Sequence, residues 1–280
     1  NPRSSLFRQL YTHVFPGHPY GRPVLGDEAA LRAATRETLR GYYKRHYVPD
    51  NMVVVVIGAV DPADVRAAVS RTFTRAPAAG YRRQPLPPPP SLAGVRRHVV
   101  TRNEKQAHLA LAWSAPPLDH PDVFAVDLLA TILGGSRSSR LNQALRERSR
   151  LVSSVRASYG ALQGGGMLSV SAQLEPKDLD KVEAAILAEI RRIQTEGVTE
   201  VERRRAITAA ESEHAFAIET AEGLARAYGL AETIWRLEEE LRYLERLGSV
   251  TREQIQEAAR RYLPADRYAV LAFTPPGAGR

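Results

Sequence analysis

Residues 35–51, TRETLRGYYKRHYVPDN, and the apolar run VVVVI at 53–57 contain the features on which the predicted fold depends. Near the C-terminus, TREQIQEAARRYLPAD (251–266) and YAVLAF (268–273) repeat these features in the same order. Each copy has a Thr that can cap a helix, a Tyr and a Pro that end it, and an apolar segment of strand length. The copies align over about 22 residues with one single-residue gap, which indicates a duplicated α+β unit.

A proline-rich segment divides the chain between the two copies. Residues 84–91, with prolines at 87–90, favour an extended strut over a helix. We therefore predict a first domain at 1–82, a linker at 83–94 and a second domain at 95–280. The predicted fold class is α+β with duplicated two-layer domains, each an antiparallel or mixed sheet packed with helices. The first copy is expected to be truncated and the second complete, with roughly 120 residues of the first copy ahead of Asn1.

Local signals predict the remaining elements. Asp61 and Pro62 open a helix that runs to about Thr74, as an N-cap followed by Pro in the first turn. A second helix, capped by Asp119, covers residues 123–133, breaks at Gly134-Gly135 and resumes at 138–148. Strands are predicted at 99–102, 108–114, 152–161 and 167–174, the last two as a hairpin, and apolar residues at helical spacing run from Leu179 to Ile193.

Composition narrows the function classes. The 39 basic and 31 acidic residues give a net charge of +8, and 17 of the basic residues lie in residues 1–118. A basic region can bind nucleic acid, but no nucleic-acid module accompanies it, so we expect no nucleic-acid partner. The longest apolar run, 52–60, is far below the ~18 residues of a membrane span. We expect a soluble protein without a membrane partner, with the cytoplasm favoured over the periplasm.

No complete active site is visible from the residues alone. There is no cysteine, and the seven histidines do not form a pair at ligand spacing on one helix. His13 and His18 are interpreted as surface or turn residues. Residues 210–214, AESEH, come nearest to the inverted zinc motif His-x-x-Glu-His, but Ala210 stands at the first ligand position.

Several motifs together resemble one family. HPYGRPVLG (18–26) precedes a helix, a YVPDNM turn (47–52) and an apolar strand, and GGSRSSRL (134–141) precedes LRE (145–147). In this order they resemble the pitrilysin/insulinase-type zinc metallopeptidases, the inverted zincins that include mitochondrial processing peptidase. The resemblance covers essentially the whole chain.

The resemblance implies a function for a longer parent protein. Family zinc ligands belong to the N-terminal part of the first domain, which this resemblance places ahead of Asn1. The chain is thus interpreted as the C-terminal portion of a zinc-dependent endopeptidase or oligopeptidase. It would contribute substrate-chamber and peptide-binding surface but no zinc ligands, and it would be inactive alone. The alternative is a non-catalytic scaffold or partner subunit of such a peptidase.

The resemblance also implies two site positions. Family members place an Arg and, seven residues later, a Tyr where they bind substrate and stabilise the tetrahedral intermediate. Arg146 matches the Arg, as a catalytic and substrate-binding candidate, whereas Ser153 stands at the Tyr position and Arg150 replaces a Gly. For Arg146, a salt bridge at a helix end is the alternative role. The implied partners are a peptide or unfolded polypeptide and a second family subunit or homodimer.

Overall fold

The computed structural model describes residues 2–73 and 80–277. The helices are α1 Pro2–Val14, α2 Glu28–Ala33, α3 Arg36–His46, α4 Pro62–Phe73, α5 Val123–Ala130, α6 Leu179–Glu196, α7 Glu200–Ala217, α8 Ala221–Ile234, α9 Leu237–Leu241, α10 Tyr243–Ser249 and α11 Arg252–Tyr262. The strands are β1 Arg96–Thr101, β2 Ala107–Ala115, β3 Val152–Leu162, β4 Gly165–Leu174 and β5 Ala269–Thr274. Along these described ranges, no helix is long and apolar enough to cross a membrane.

The chain forms two compact units that are each discontinuous in sequence. The sheet unit comprises Asn1–Pro23, Pro87–Ala209 and Glu245–Arg280, and the helical unit comprises Val24–Leu86 and Ala210–Leu244. The predicted domains, 1–82 and 95–280, are continuous segments defined from the sequence repeat. They describe the repeat rather than these compact units, and they remain a prediction.

The sheet unit contains a mixed sheet, which confirms the α+β prediction. Within the described residues its five strands lie in the order β1-β5-β2-β4-β3. The β1–β5 pair is parallel and the other pairs are antiparallel. The β3–β4 hairpin turns at Gln163-Gly164, as the glycines at 164–166 predict. Strand β5 therefore lies between β1 and β2, where both of its backbone edges are paired.

Helices pack on both faces of the sheet because its central strands, β2 and β5, are apolar on both faces. Helix α1 places Leu6 and Leu10 against Ala110, Leu271 and Phe273. Side chains alternate across a strand, so the neighbouring positions of β2 and β5 point to the opposite face. There β2 contacts α6 and α11, and the predicted apolar positions of α6 are buried at Val182, Ile186, Ile190 and Ile193.

The predicted helix starts are confirmed in both copies of the repeat. The Thr35 hydroxyl accepts a hydrogen bond from Thr38 N at 3.2 Å, and the Thr251 hydroxyl accepts one from Gln254 N at 3.2 Å. Asp61 Oδ1 accepts from Ala63 N at 2.6 Å at the start of α4, which is described as far as Phe73. The predicted helix end at Thr74 lies outside the described residues.

Two local predictions are wrong. Residues 53–57 form no strand in the described chain, where they have no ladder partner, because an apolar run becomes a strand only where another strand pairs with it. Asp119 does not cap α5: it lies in a turn, and Asp122 stands at the N-cap position without a side-chain capping bond.

Candidate functional site

The GGSRSSRL motif connects two π-helical segments of the sheet unit. Helix α5 widens into a π-segment at Thr131–Gly135, and a second π-segment covers Asn142–Arg148. The first ends in close contact with β3, since a Cβ at Gly134 would lie 2.2 Å from Ala157 N. Gly134 is therefore required because a side chain would not fit against β3, and not because glycine ends the helix. Such π-segments are often found at functional sites.

Asn142 fixes the loop between the two segments. Its Nδ2 donates to Ser136 O at 3.0 Å and to Val155 O at 3.2 Å, and the residue is buried. Ser139 Oγ also donates to Ser136 O, at 2.6 Å. The sequence prediction missed Asn142; its polar side chain directly after buried Leu141 is the signal that could have identified it. The loop is thereby held rigidly against β3.

Arg140 joins this loop to α7 through a two-pronged ion pair. Its Nε donates to Glu202 Oε1 at 2.6 Å and its Nη2 to Glu202 Oε2 at 2.9 Å, while Nη2 also reaches Gly197 O. Burial alone would raise the pKa of Glu202, but hydrogen bonds from Arg140 and from Thr199 outweigh it and lower the pKa to about 2. The pair holds the loop against α7 through Nε and Nη2, while Arg140 Nη1 is buried without a hydrogen-bond partner in the described residues.

Arg146 and Ser153 lie on either side of a tight turn into β3. Leu151 N donates to Leu145 O at 2.8 Å, and Arg150 adopts φ 52°. That left-handed conformation favours glycine and costs another residue about 1–2 kcal/mol. The family resemblance places a glycine at position 150. Arg150 therefore has a backbone conformation typical of glycine although it carries a side chain.

The two side chains differ in what they can still bind. Arg146 is partly exposed, and among the described residues it makes no hydrogen bond or ion pair. Ser153 is the extra residue of a β-bulge in β3, with its hydroxyl donating to Gln173 O at 3.2 Å. Bulges near functional sites redirect side chains. Arg146 can therefore donate to a ligand, whereas the short Ser153 hydroxyl is bound to backbone.

Tyr159 does not take over the role of the absent tyrosine. Its hydroxyl donates to Pro116 O at 2.6 Å, and burial raises the pKa of the phenol above its ordinary value, with Asp127 adding to the effect. A buried phenol with its hydrogen bond already made has no donor left for a substrate.

His18 lies in a turn, as expected, but not on the surface. The His18 side chain is buried. Tyr20 N donates a hydrogen bond to its Nδ1 at 3.1 Å, and its Nε2 lies 2.9 Å from Pro87 O. His18 therefore ties the HPYGRPVLG motif to the proline-rich segment. His13 contacts His98 with ring centroids 4.8 Å apart, and burial, together with His98 and Arg96, lowers the pKa of His13.

The AESEH segment, which comes nearest to a zinc motif, does not form a metal site with other described residues. His214 lies with its Nδ1 3.9 Å from Glu240 and its ring against Tyr243, within the helical unit. Residues 2–73 and 80–277 contain no group of three His, Asp or Glu side chains that could hold a metal ion. The expectation that the chain holds no zinc ligands remains a prediction.

Comparison with known proteins identifies the relatives of this chain. The family model described as the peptidase M16 inactive domain matches residues 33–210. An uncharacterized zinc protease of Mycobacterium tuberculosis is 29% identical over 100% of this chain and 64% of its own length. YmxG, an uncharacterized zinc protease of Bacillus subtilis, is 25% identical over 94% of this chain and 64% of its own length. The chain thus spans less than two thirds of these relatives.

Solved structures share the fold. A peptidase M16 inactive domain from Pseudomonas fluorescens superposes with a TM-score of 0.88 at 21% identity, over 100% of this chain and 67% of that one. A protease from Helicobacter pylori also has a TM-score of 0.88, at 19% identity, over 98% of this chain and 67% of that one.

Proposed function

Since the chain belongs to the peptidase M16 family, through its inactive domain, we propose that it is the C-terminal portion of a zinc-dependent endopeptidase or oligopeptidase. The observation that carries the proposal is the inactive-domain match over residues 33–210. It also confirms the resemblance found in the motifs. The zinc of the whole protein, bound in inverted-zincin fashion, would be held outside this chain, which supplies surface for the polypeptide substrate.

Arg146 is the side chain proposed to act on the substrate. Its guanidinium is free of protein partners in the described residues, so it can donate hydrogen bonds to a peptide carbonyl. Such a donor stabilises the negative charge that develops on that oxygen during hydrolysis. Ser153 is too short to act as a second donor beside it, so one donor remains of the two that the family uses.

Peptide hydrolysis by the full-length protein that contains this chain tests the proposed role of Arg146. An extended fluorogenic peptide should be cleaved in a chelator-sensitive way, and R146Q should lower kcat by about a hundredfold. R148Q, on the same segment, should have little effect. S153Y should raise kcat by restoring the second donor, whereas S153F should not because it lacks the hydroxyl. Equal rates for R146Q and R148Q would remove Arg146 from the site.

The chain alone provides a separate test. Purified 1–280 is expected to cleave no peptide, because the zinc ligands are proposed to lie elsewhere. Chelator-sensitive hydrolysis by this chain would contradict that assignment while leaving family membership intact.

A second candidate function follows from Ser153. With serine in place of the tyrosine, the chain also fits a scaffold or partner subunit that has lost catalysis. In that case the full-length protein should cleave nothing and S153Y should restore nothing. Its contribution would be measured instead as activation of a catalytic subunit on mixing.

We further propose a paired assembly, either a homodimer or a complex with a second family subunit. A two-domain half encloses a polypeptide only when a second half closes over it. Light scattering of the full-length protein should give twice the monomer mass, and a monomer at micromolar concentration with full activity would contradict the pairing.

A further inference from the structure

The outer rim of β1 is an open sheet edge. β1 is the terminal strand of the sheet, and its other side pairs with β5 through Arg96 N to Tyr268 O at 2.9 Å and Arg102 N to Thr274 O at 2.8 Å. By the alternation of a strand, the N–H and C=O groups of Arg97, Val99 and Thr101 point away from β5. In the part of the chain that the structure describes, none of these six backbone groups has a backbone partner.

The opposite edge of the sheet differs from this rim. On β3, Val155 O accepts from Asn142 Nδ2 at 3.2 Å and Leu162 O accepts from Leu118 N at 2.9 Å. Loops of the same unit thus cover part of that edge. On β1, the outward-facing residue Val99 is 52% exposed. An accessible edge strand is a template for another strand.

The β1 rim carries uncompensated positive charge. Arg97 is neutralised by Glu183, with Nη2 at 2.6 Å from Oε2. Arg96 has no ion pair among the described residues, and Arg102 lies with its guanidinium 4.0 Å from the centroid of the Phe273 ring. Arg96 and Arg102 therefore lie at the two ends of the open strand edge, and neither forms an ion pair with a described carboxylate.

We propose that the β1 rim binds an extended acidic segment of another protein as an added strand. The backbone groups supply the ladder hydrogen bonds, and Arg96 and Arg102 select carboxylates at the ends. A second copy of this chain fits less well, since pairing two β1 strands antiparallel brings Arg96 of one copy near Arg102 of the other. Binding at this rim does not depend on peptidase activity.

A simpler role for the arginines is protection of the edge. Charged side chains on edge strands prevent aggregation, and a protected edge binds no segment at all. The two roles make opposite predictions for an added acidic peptide, so a binding measurement separates them.

The experiment titrates the intact 280-residue chain into a labelled ten-residue peptide that alternates Glu and Val. Saturable binding is expected, and it should weaken as salt rises because the charges are exposed. The same peptide with Lys in place of Glu should not bind. A third peptide, with two central prolines, should bind at least about tenfold more weakly because it cannot continue the ladder.

Variants of the chain locate the site. V99P removes one outward N–H at an edge position where Pro is tolerated, and should weaken binding by about tenfold, while V99T should match the parent. R96E should weaken binding by a similar factor, whereas R191E, an exposed charge reversal on α6, should not. If V99P fails to fold, the proline peptide tests the ladder on the unaltered chain.

Three results of the peptide titrations would overturn the proposal. They are equal binding of the Glu and Lys peptides, unchanged binding by folded V99P, and the absence of any binding, which leaves the arginines as edge protection. A concentration-dependent dimer that V99P abolishes would also overturn it, since the occupant would then be a second copy.

Discussion

The two copies of the repeat have the same helix start but opposite burial. Thr35 and Thr251 both cap their helices through a hydroxyl. In α11, Ile255 and Ala259 are 0% exposed, whereas Leu39 in α3, the counterpart of Ile255, is 63% exposed. Capping is a local bond that the sequence sets by itself, while burial requires other elements to pack on the helix.

The apolar segments after the two helices differ in the same way. Leu271 in β5 is fully buried between two paired strands. Val54 and Val56, in the matching run of the first copy, are 51% and 46% exposed and belong to no strand of the described chain. The same pattern therefore produces a core strand in one copy and an unpaired apolar segment in the other.

The largest expected difference comes from truncating matched helix positions. I255A should destabilise the sheet unit by about 2–5 kcal/mol, because it leaves a cavity in a closed core. L39A should cost less than about 0.5 kcal/mol, because that side chain is exposed. Amide hydrogen exchange followed by mass spectrometry reads both helices in one protein. Equal losses would mean that α3 is packed as tightly as α11.

Glycine replacements should give effects of opposite sign. G134A should cost at least about 1–3 kcal/mol, since its Cβ would lie 2.2 Å from Ala157 N. In α3, G41A should stabilise the helix by about 1 kcal/mol, because no described atom outside the helix's own backbone lies within 4 Å of a new Cβ and Ala is the better helix former. Urea unfolding measures the first and hydrogen exchange of α3 the second. A stabilised G134A would break the contrast.

The sheet unit and the helical unit each contain an ion pair, and the two pairs differ in exposure. The Arg140–Glu202 pair joins distant residues at side-chain exposures of 14% and 22%, whereas Glu28 and Arg32 pair along one turn at 78% and 77%. E202Q should cost about 2 kcal/mol because it breaks charge-assisted bonds, and E28Q less than about 0.5 kcal/mol.

The Glu202 pair should also give an acid dependence. Its pKa of about 2 in the folded state lies below the ordinary value near 4.3, so the stabilisation is present above that ordinary value and is lost as pH falls towards about 2. The step between pH 4.5 and 2 should shrink in E202Q and persist in E28Q. Unfolding measured at several pH values checks this, and an unchanged step in E202Q would assign it to other carboxylates.

The smallest difference between the two copies should come from the caps. T251A should cost about 1 kcal/mol and T35A slightly less, because Gln254 adds a reciprocal bond to Thr251 N at 2.8 Å that Thr38 does not supply. Hydrogen exchange in the first turn of each helix measures both. A T35A effect much larger than that of T251A would show that the first copy depends on its local bonds for order.

The candidate site was predictable only where it is local. The helix predicted to residue 148 and the strand predicted from residue 152 place Arg146 and Ser153 on either side of a short connection, where the structure has a turn closed by Leu151 N donating to Leu145 O. The bulge at Ser153 and the hydrogen bond from Asn142 to β3 are visible only in the tertiary structure. Each depends on a strand or loop that no local sequence pattern identifies. The buried position of His18 is of the same kind.

The sequence by itself determined the helix starts at Thr35, Asp61 and Thr251, the hairpin, the apolar face of α6 and the repeat, because these follow from side-chain chemistry within a few residues of each other. Only the tertiary structure decided that β5 pairs between β1 and β2, that β1 keeps an open edge, and that residues 53–57 pair with no described strand. Strand pairing and burial join residues far apart along the chain, so two nearly identical local patterns can have different environments.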